Sequence, residues 1–136
     1  MAPPYGPPIS TAQAKIVAAA ALAEARAHQW AMAAAVTDPN GTLVYFEKID
    51  DTQHGSPVVA IEKARSAALF KRPTKAFQDN VAGGGAGLRA LGIPGACPID
   101  GGLPLIVDGR IVGGLGVSGA LPEQDAQCAQ AGASAL

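Results

Sequence analysis

LPLIVDGRIVGGLGVSG, residues 103–119, is the stretch on which the fold turns. Its last part, Gly114-Leu115-Gly116-Val117-Ser118-Gly119, has the G-x-G-x-x-G spacing of a dinucleotide-binding turn. That turn needs a strand before it, a helix after it, and a returning parallel strand with an acid about 20 residues on. Only 17 residues follow Gly119, and a helix opening at Pro122-Glu123 consumes them. Upstream, Asp108-Gly109 marks a turn between two apolar runs, so the strand before the glycines belongs to an antiparallel hairpin. No nucleotide cofactor is expected. The glycines instead predict close approach of another backbone or of a ligand at the strand's end, with Ser118 offering a hydroxyl there.

The rest of the chain agrees with an antiparallel reading. Asp38-Pro39-Asn40-Gly41 separates strand-like runs 31–37 and 42–48, a first hairpin. Ser10 and Gln13 form a capping-box start for an alanine-rich helix reaching about His28, with Ile16, Ala19, Ala20, Ala23 and Ala27 on one face. Ser56-Pro57 opens another helix, Ser56 as N-cap and Pro57 at its first position. On that helix Glu62, Lys63, Arg65 and Ser66 share a polar arc, opposite Val58, Ile61, Ala64 and Ala68. Phe70-Lys71-Arg72-Pro73 ends it, and Thr74 starts a shorter helix through about Val81. Residues 83–102 read as a glycine-rich connection with little periodicity, of a length that is usually functional or mobile. The acidic first turn after Pro122 suits a helix dipole, and Ala126, Ala129 and Ala133 give that helix a small-residue face. The expected architecture is α/β (α+β): residues 1–8 as an extended proline-rich arm, and 9–136 as one domain with an antiparallel sheet of about five strands flanked by helices.

Composition bounds the function. Hydrophobic residues make up 49% of the chain but aromatics only 4%, so alanine supplies much of the core and each buried residue removes little area from water. Subunit contacts are expected to make up the deficit, which predicts a homo-oligomer. A net charge of −1 without a basic cluster argues against nucleic acid. Cys97 and Cys128 have neither disulfide-framework nor zinc-type spacing and read as reduced thiols. MAPPYGPPIS lacks the features of a signal peptide, and the apolar run Ile16–Ala23 is too short to span a bilayer. The expectation is a cytoplasmic chain without a membrane partner.

Several short stretches carry a resemblance: A-V-T-D-P-N-G at 35–41, D-D-T-Q at 50–53, E-K-A-R-S-A at 62–67, R-P-T at 72–74, G-G-L-P at 101–104, G-V-S-G at 116–119 and Q-D-A-Q-C-A-Q-A-G at 124–132. In this order they resemble the GlcG/HbpS family of small haem-binding or haem-degrading-type proteins, also found as the C-terminal domain of PduO-type cobalamin adenosyltransferases. The resemblance covers almost all of the chain beyond the arm. It implies a profilin-like fold, a higher oligomer, and haem or a related small molecule as ligand.

The densest polar cluster is DDTQHGS, residues 50–56. Asp51, Thr52 and Ser56 either cap backbone donors or, with Asp50 and Gln53, form a ligand-facing loop whose helix N-terminus suits a carboxylate or propionate. His54 is either a solvated loop histidine or a metal ligand, the axial donor to haem iron; Cys97 and Met32 are the other donors. His28, at a helix end, is expected to satisfy terminal carbonyls. Lys63 and Arg72 fall within the family motifs and are expected to line the site; Arg65 reads as a solvated face. Thr74 is a cap or a hydroxyl donor, Phe77 an apolar wall, and Asp125 an orienting partner for Lys63 or a subunit neighbour. The composite pocket lies between the 50–56 loop, Lys63, residues 72–74, the Gly101-Gly102-Leu103-Pro104 turn and residues 116–119. No nucleophile elbow or Ser-His-Asp spacing occurs. Three functions compete: a haem or related small-ligand binder, a hydrolase or tautomerase-like enzyme, and a structural oligomer without ligand. The enzyme reading would gather Lys63, Arg72, Asp51, Gln53 and His54 around an unsaturated, muconate-type acid of aromatic degradation.

Overall fold

The computed structural model describes residues 2–136. Its elements are α1 (Thr11–Ala27), β1 (Ala33–Thr37), β2 (Leu43–Lys48), α2 (Ser56–Phe70), α3 (Lys75–Gly83), a 3-10 helix (Gly85–Gly92), β3 (Gly102–Val107), β4 (Arg110–Ser118) and α4 (Pro122–Ala133). The strands form one antiparallel sheet in the order β2-β1-β4-β3. Both expected hairpins are present, and Asp38 explains the first turn: its Oδ1 accepts from the N–H groups of Asn40 and Thr42 at 2.8 and 3.0 Å.

The sheet has four strands where about five were expected. The arm, of which Met1 lies outside the described residues, comes nearest to a fifth. Tyr5 makes a single parallel bridge to Ile111. Gly6 N–H donates to Ile111 O, and Ile111 N–H to Pro4 O, both at 2.9 Å. β1 pairs with β4 only from Gly114 to Ser118, so the arm occupies the stretch of that edge which β1 leaves open. Pro3, Pro4, Pro7 and Pro8 have no N–H to extend the ladder, and pairing stops at a bridge.

Helices cover both faces. α1 and α4 pack together on one face over Val36, Leu105, Leu115 and Val117; α2 packs on the other over Ala33 and Ala35. α1 opens with the expected capping box, Ser10 Oγ accepting from Gln13 N–H at 3.1 Å. Its buried face differs from the expected one: Ala14, Val17, Ala18, Ala21, Leu22 and Ala25 are inside, and Ile16 is 55% exposed. Alanine on every side blurs the helical period, and the bulk of Val17 and Leu22 decides. α2 also starts one residue earlier than expected, with Gly55 as N-cap and Ser56 already helical. The expected polar arc is split, because Lys63 and Ser66 are buried while Val58 is 64% exposed.

The glycines at 114 and 116 do what their spacing suggested. A Cβ on Gly114 would collide with Ala64 O, and one on Gly116 with Ala60 O, so α2 lies with its main chain directly on β4. Residues 83–102 are less irregular than expected. The 3-10 helix packs on α3, and Gly87 sits against the Asn80 carbonyl, where a side chain would not fit.

Candidate functional site

Four of the expected segments meet under the C-terminal half of α2. The Lys63 ammonium, fully buried, donates to Val117 O and to Asp125 Oδ2, both at 2.9 Å. Asp125, on the first turns of α4, also accepts from Ala120 N–H at 3.0 Å. Burial pushes its carboxyl above the ordinary range, more than the neighbouring ammonium and backbone donors hold it down. Gly101 passes over this pair with a φ of 123°, and a Cβ there would lie 2.7 Å from Lys63 Nζ. Gly101 O accepts from Val117 N–H at 2.9 Å. Thr74 and Gly102 bond reciprocally: Thr74 N–H donates to Gly102 O at 3.0 Å and Gly102 N–H to Thr74 Oγ1 at 2.9 Å. Ser118, opposite Ala33 in the sheet, is also buried. This polar centre ties α2, α4, β3 and β4 together, and Lys63 spends its charge inside the protein, on Asp125.

The 50–56 loop is elsewhere, before the first turn of α2. Asp50, Asp51, Gln53 and His54 are exposed; Thr52 and Ser56 are buried. Thr52 Oγ1 donates to Ile49 O at 2.6 Å and Gln53 Nε2 to Ser56 Oγ at 2.9 Å, so part of the cluster organises its own turn. Asp51 takes a left-handed φ of 67° within it. His54 makes no hydrogen bond among the described residues, leaving its ring nitrogens to solvent or ligand. His28 does not serve terminal carbonyls with its ring. It bonds Glu24 Oε1 at 2.9 Å and stacks on Trp30.

Beyond the other end of α2, Arg72 is exposed, its Nε donating to Phe70 O at 2.9 Å and its guanidinium lying over the Phe77 ring. Phe77 itself is buried. A helix of 15 residues is about 22 Å long, so within one chain Asp51 and His54 stand a helix length from Arg72. Lys63, Arg72, Asp51, Gln53 and His54 are not brought together as one cluster. Arg65 reaches back to Gly41 O at 3.2 Å. Cys97, half-buried, has its thiol pushed up by burial, and the buried Cys128 thiol is pushed up to about 12. Met32 is buried in the core. Among the described residues no three His, Cys, Asp or Glu side chains group to hold a bare metal ion, and no helix is long and apolar enough to cross a membrane.

A groove of about 450 Å³ opens along the outer edge of β3, between it, α4 and the arm. Pro104 and Pro73 line it, as do Lys71, Leu103 and Ile106. The sequence reading missed it because its walls come from four separated segments and form no linear motif.

The model of the family described as haem degrading protein HbpS-like matches residues 9–134. Protein GlcG of Escherichia coli K12 is 37% identical over 110 residues, 81% of each chain. Among solved structures, a double mutant of HbpS from Streptomyces reticuli superposes with a TM-score of 0.88 at 30% identity, covering 96% of this chain and 88% of that one. A PduOC:heme complex superposes at 0.84 and 29% identity, over 95% of both chains.

Proposed function

The chain belongs to the HbpS-like haem degrading family, and from that premise we propose that it binds haem or a related small ligand. The observation that carries this is the likeness, over 95% of both chains, to a relative solved with haem. His54 is the donor we assign to the iron: it is exposed, free of internal hydrogen bonds, and beside the N-terminus of α2, whose dipole suits a propionate. Haem would supply the redox-active iron, and the loop's part is to position the imidazole and receive the carboxylates. Lys63 belongs to the frame that holds α2, not to the ligand. A haem titration followed at the Soret band tests the reading. Saturable binding is expected in the wild type, with a shifted band and weaker binding in His54→Ala. Binding unchanged in His54→Ala removes His54 as ligand, and no saturable binding removes the haem reading.

Self-association is part of the same proposal. Val58 and Leu91 are each 64% exposed and Leu121 57%, apolar surface that a second copy would cover. Sedimentation at micromolar concentration should give a species larger than the 13.6 kDa chain. A stable monomer opposes it.

A further inference from the structure

We propose that the groove beside β3 is a second ligand site, for a small apolar carboxylate, a helix length away from the 50–56 loop. Its volume, about 450 Å³, falls within the ordinary span for small-molecule sites. Leu103, Pro104, Ile106 and Ala133 supply an apolar wall. Each polar side chain on it can donate: the Lys71 ammonium, the Gln130 amide nitrogen and the Ser134 hydroxyl. Gln130 Nε2 donates to Ser134 Oγ at 3.2 Å, which leaves the Ser134 proton free to donate onward. Among the described residues no acidic side chain lines the groove. An apolar wall with one cation and added donors fits an apolar body ending in a carboxylate.

Lys71 carries the second argument. It ends α2 in the left-handed region, φ 56° and ψ 33°, a conformation that glycine takes without strain and other residues resist. A lysine there holds its backbone against preference, so its side chain has a use. That use is not an internal ion pair: among the described residues Lys71 bonds no carboxylate, and its ammonium stands 4.5 Å from the centre of the Tyr5 ring. Tyr5 is fixed in turn by its hydroxyl, which donates to Ala68 O at 2.7 Å. The cation is thereby held against Tyr5 at the rim of the groove, with no carboxylate to neutralise it.

Edge geometry keeps the groove open to a small molecule. Gly102, whose N–H and C=O face outward from β3, is already satisfied by Thr74, and Pro104 two residues on has no N–H. An added strand would find neither donor at those positions.

The test is calorimetric titration of the full chain with 4-phenylbutyrate and with its neutral isostere 4-phenylbutanamide. Saturable binding of the carboxylate is expected, with the amide weaker by about fivefold, as suits a cation at a wet rim. Lys71→Gly should erase that preference while leaving thermal stability unchanged or raised, since glycine suits the turn. Ile106→Arg should abolish binding of both, and amide shifts on titration should map to residues 103–106 and 130–134, not to 50–56. Equal binding of acid and amide, a preference that survives Lys71→Gly, or no saturable binding would each overturn the proposal. So would binding seen only after an assembly dissociates, because a second copy would then be the occupant.

Discussion

Removing Lys63 alone leaves the Asp125 carboxylate buried beside Val117 O with no counter-charge. Lys63→Met should therefore cost about 3–5 kcal/mol at neutral pH, and Lys63→Met combined with Asp125→Leu far less, because the orphan charge goes too. Urea unfolding of the two variants checks this; a double variant as weak as the single one would contradict it. The sign with pH follows from the raised Asp125 carboxyl. An acid whose folded pKa lies above its ordinary 3.8 contributes stability that is full below that value and lost as pH rises through the folded one. Without the ammonium the rise is larger, so the deficit of Lys63→Met should shrink on acidification from about pH 7 to about pH 4. Lys63 and Asp125 were both legible as candidates in E-K-A-R-S-A and Q-D-A-Q-C. Their contact was left open, because they stand 62 positions apart in sequence and no local period links them.

Glycine decides how the elements meet. Gly116→Ala would push a methyl into Ala60 O and lift α2 from the sheet, at a cost of about 3 kcal/mol or more. Gly83→Ala, at the end of α3 with open space around it, should be neutral or stabilise by about 0.5–1 kcal/mol. Chemical denaturation of both separates close approach from mere glycine richness; equal effects would show that the α2–β4 contact can yield. Hairpins and helix starts were readable in the sequence because Asp38-Pro39-Asn40-Gly41, Asp108-Gly109, Ser10 and Pro122 act locally. The inward face of α1 was not, since alanines surround it, and the 3-10 helix was not, since its bonds depend on a packed α3.

The whole molecule is closed by its arm. Deleting residues 2–8 frees Ile111 N–H, Ala68 O and Leu69 O and exposes the upper edge of β4. A fall in Tm of several degrees is expected, since each lost net hydrogen bond is worth about 1 kcal/mol. Tyr5→Phe, which keeps the ring and the bridge, should recover most of it. A melt indifferent to the deletion would mean that the arm rides on the surface without holding it. The antiparallel domain was legible from turns, but the arm's place was not: four prolines announce an extended segment without saying which edge it meets.

The backbone-on-backbone seat of α2 on β4 has a volumetric consequence. Hydrostatic pressure unfolds proteins by eliminating the small voids that irregular side chains leave between layers. Where Ala60 O and Ala64 O rest on Gly116 and Gly114 there is no room even for a methyl, so that layer holds little such volume. Compression should therefore disturb the opposite layer first, where Leu22, Met32, Leu105 and Leu115 interlock, and leave the amides of α2 and β4 the last to lose their native signals.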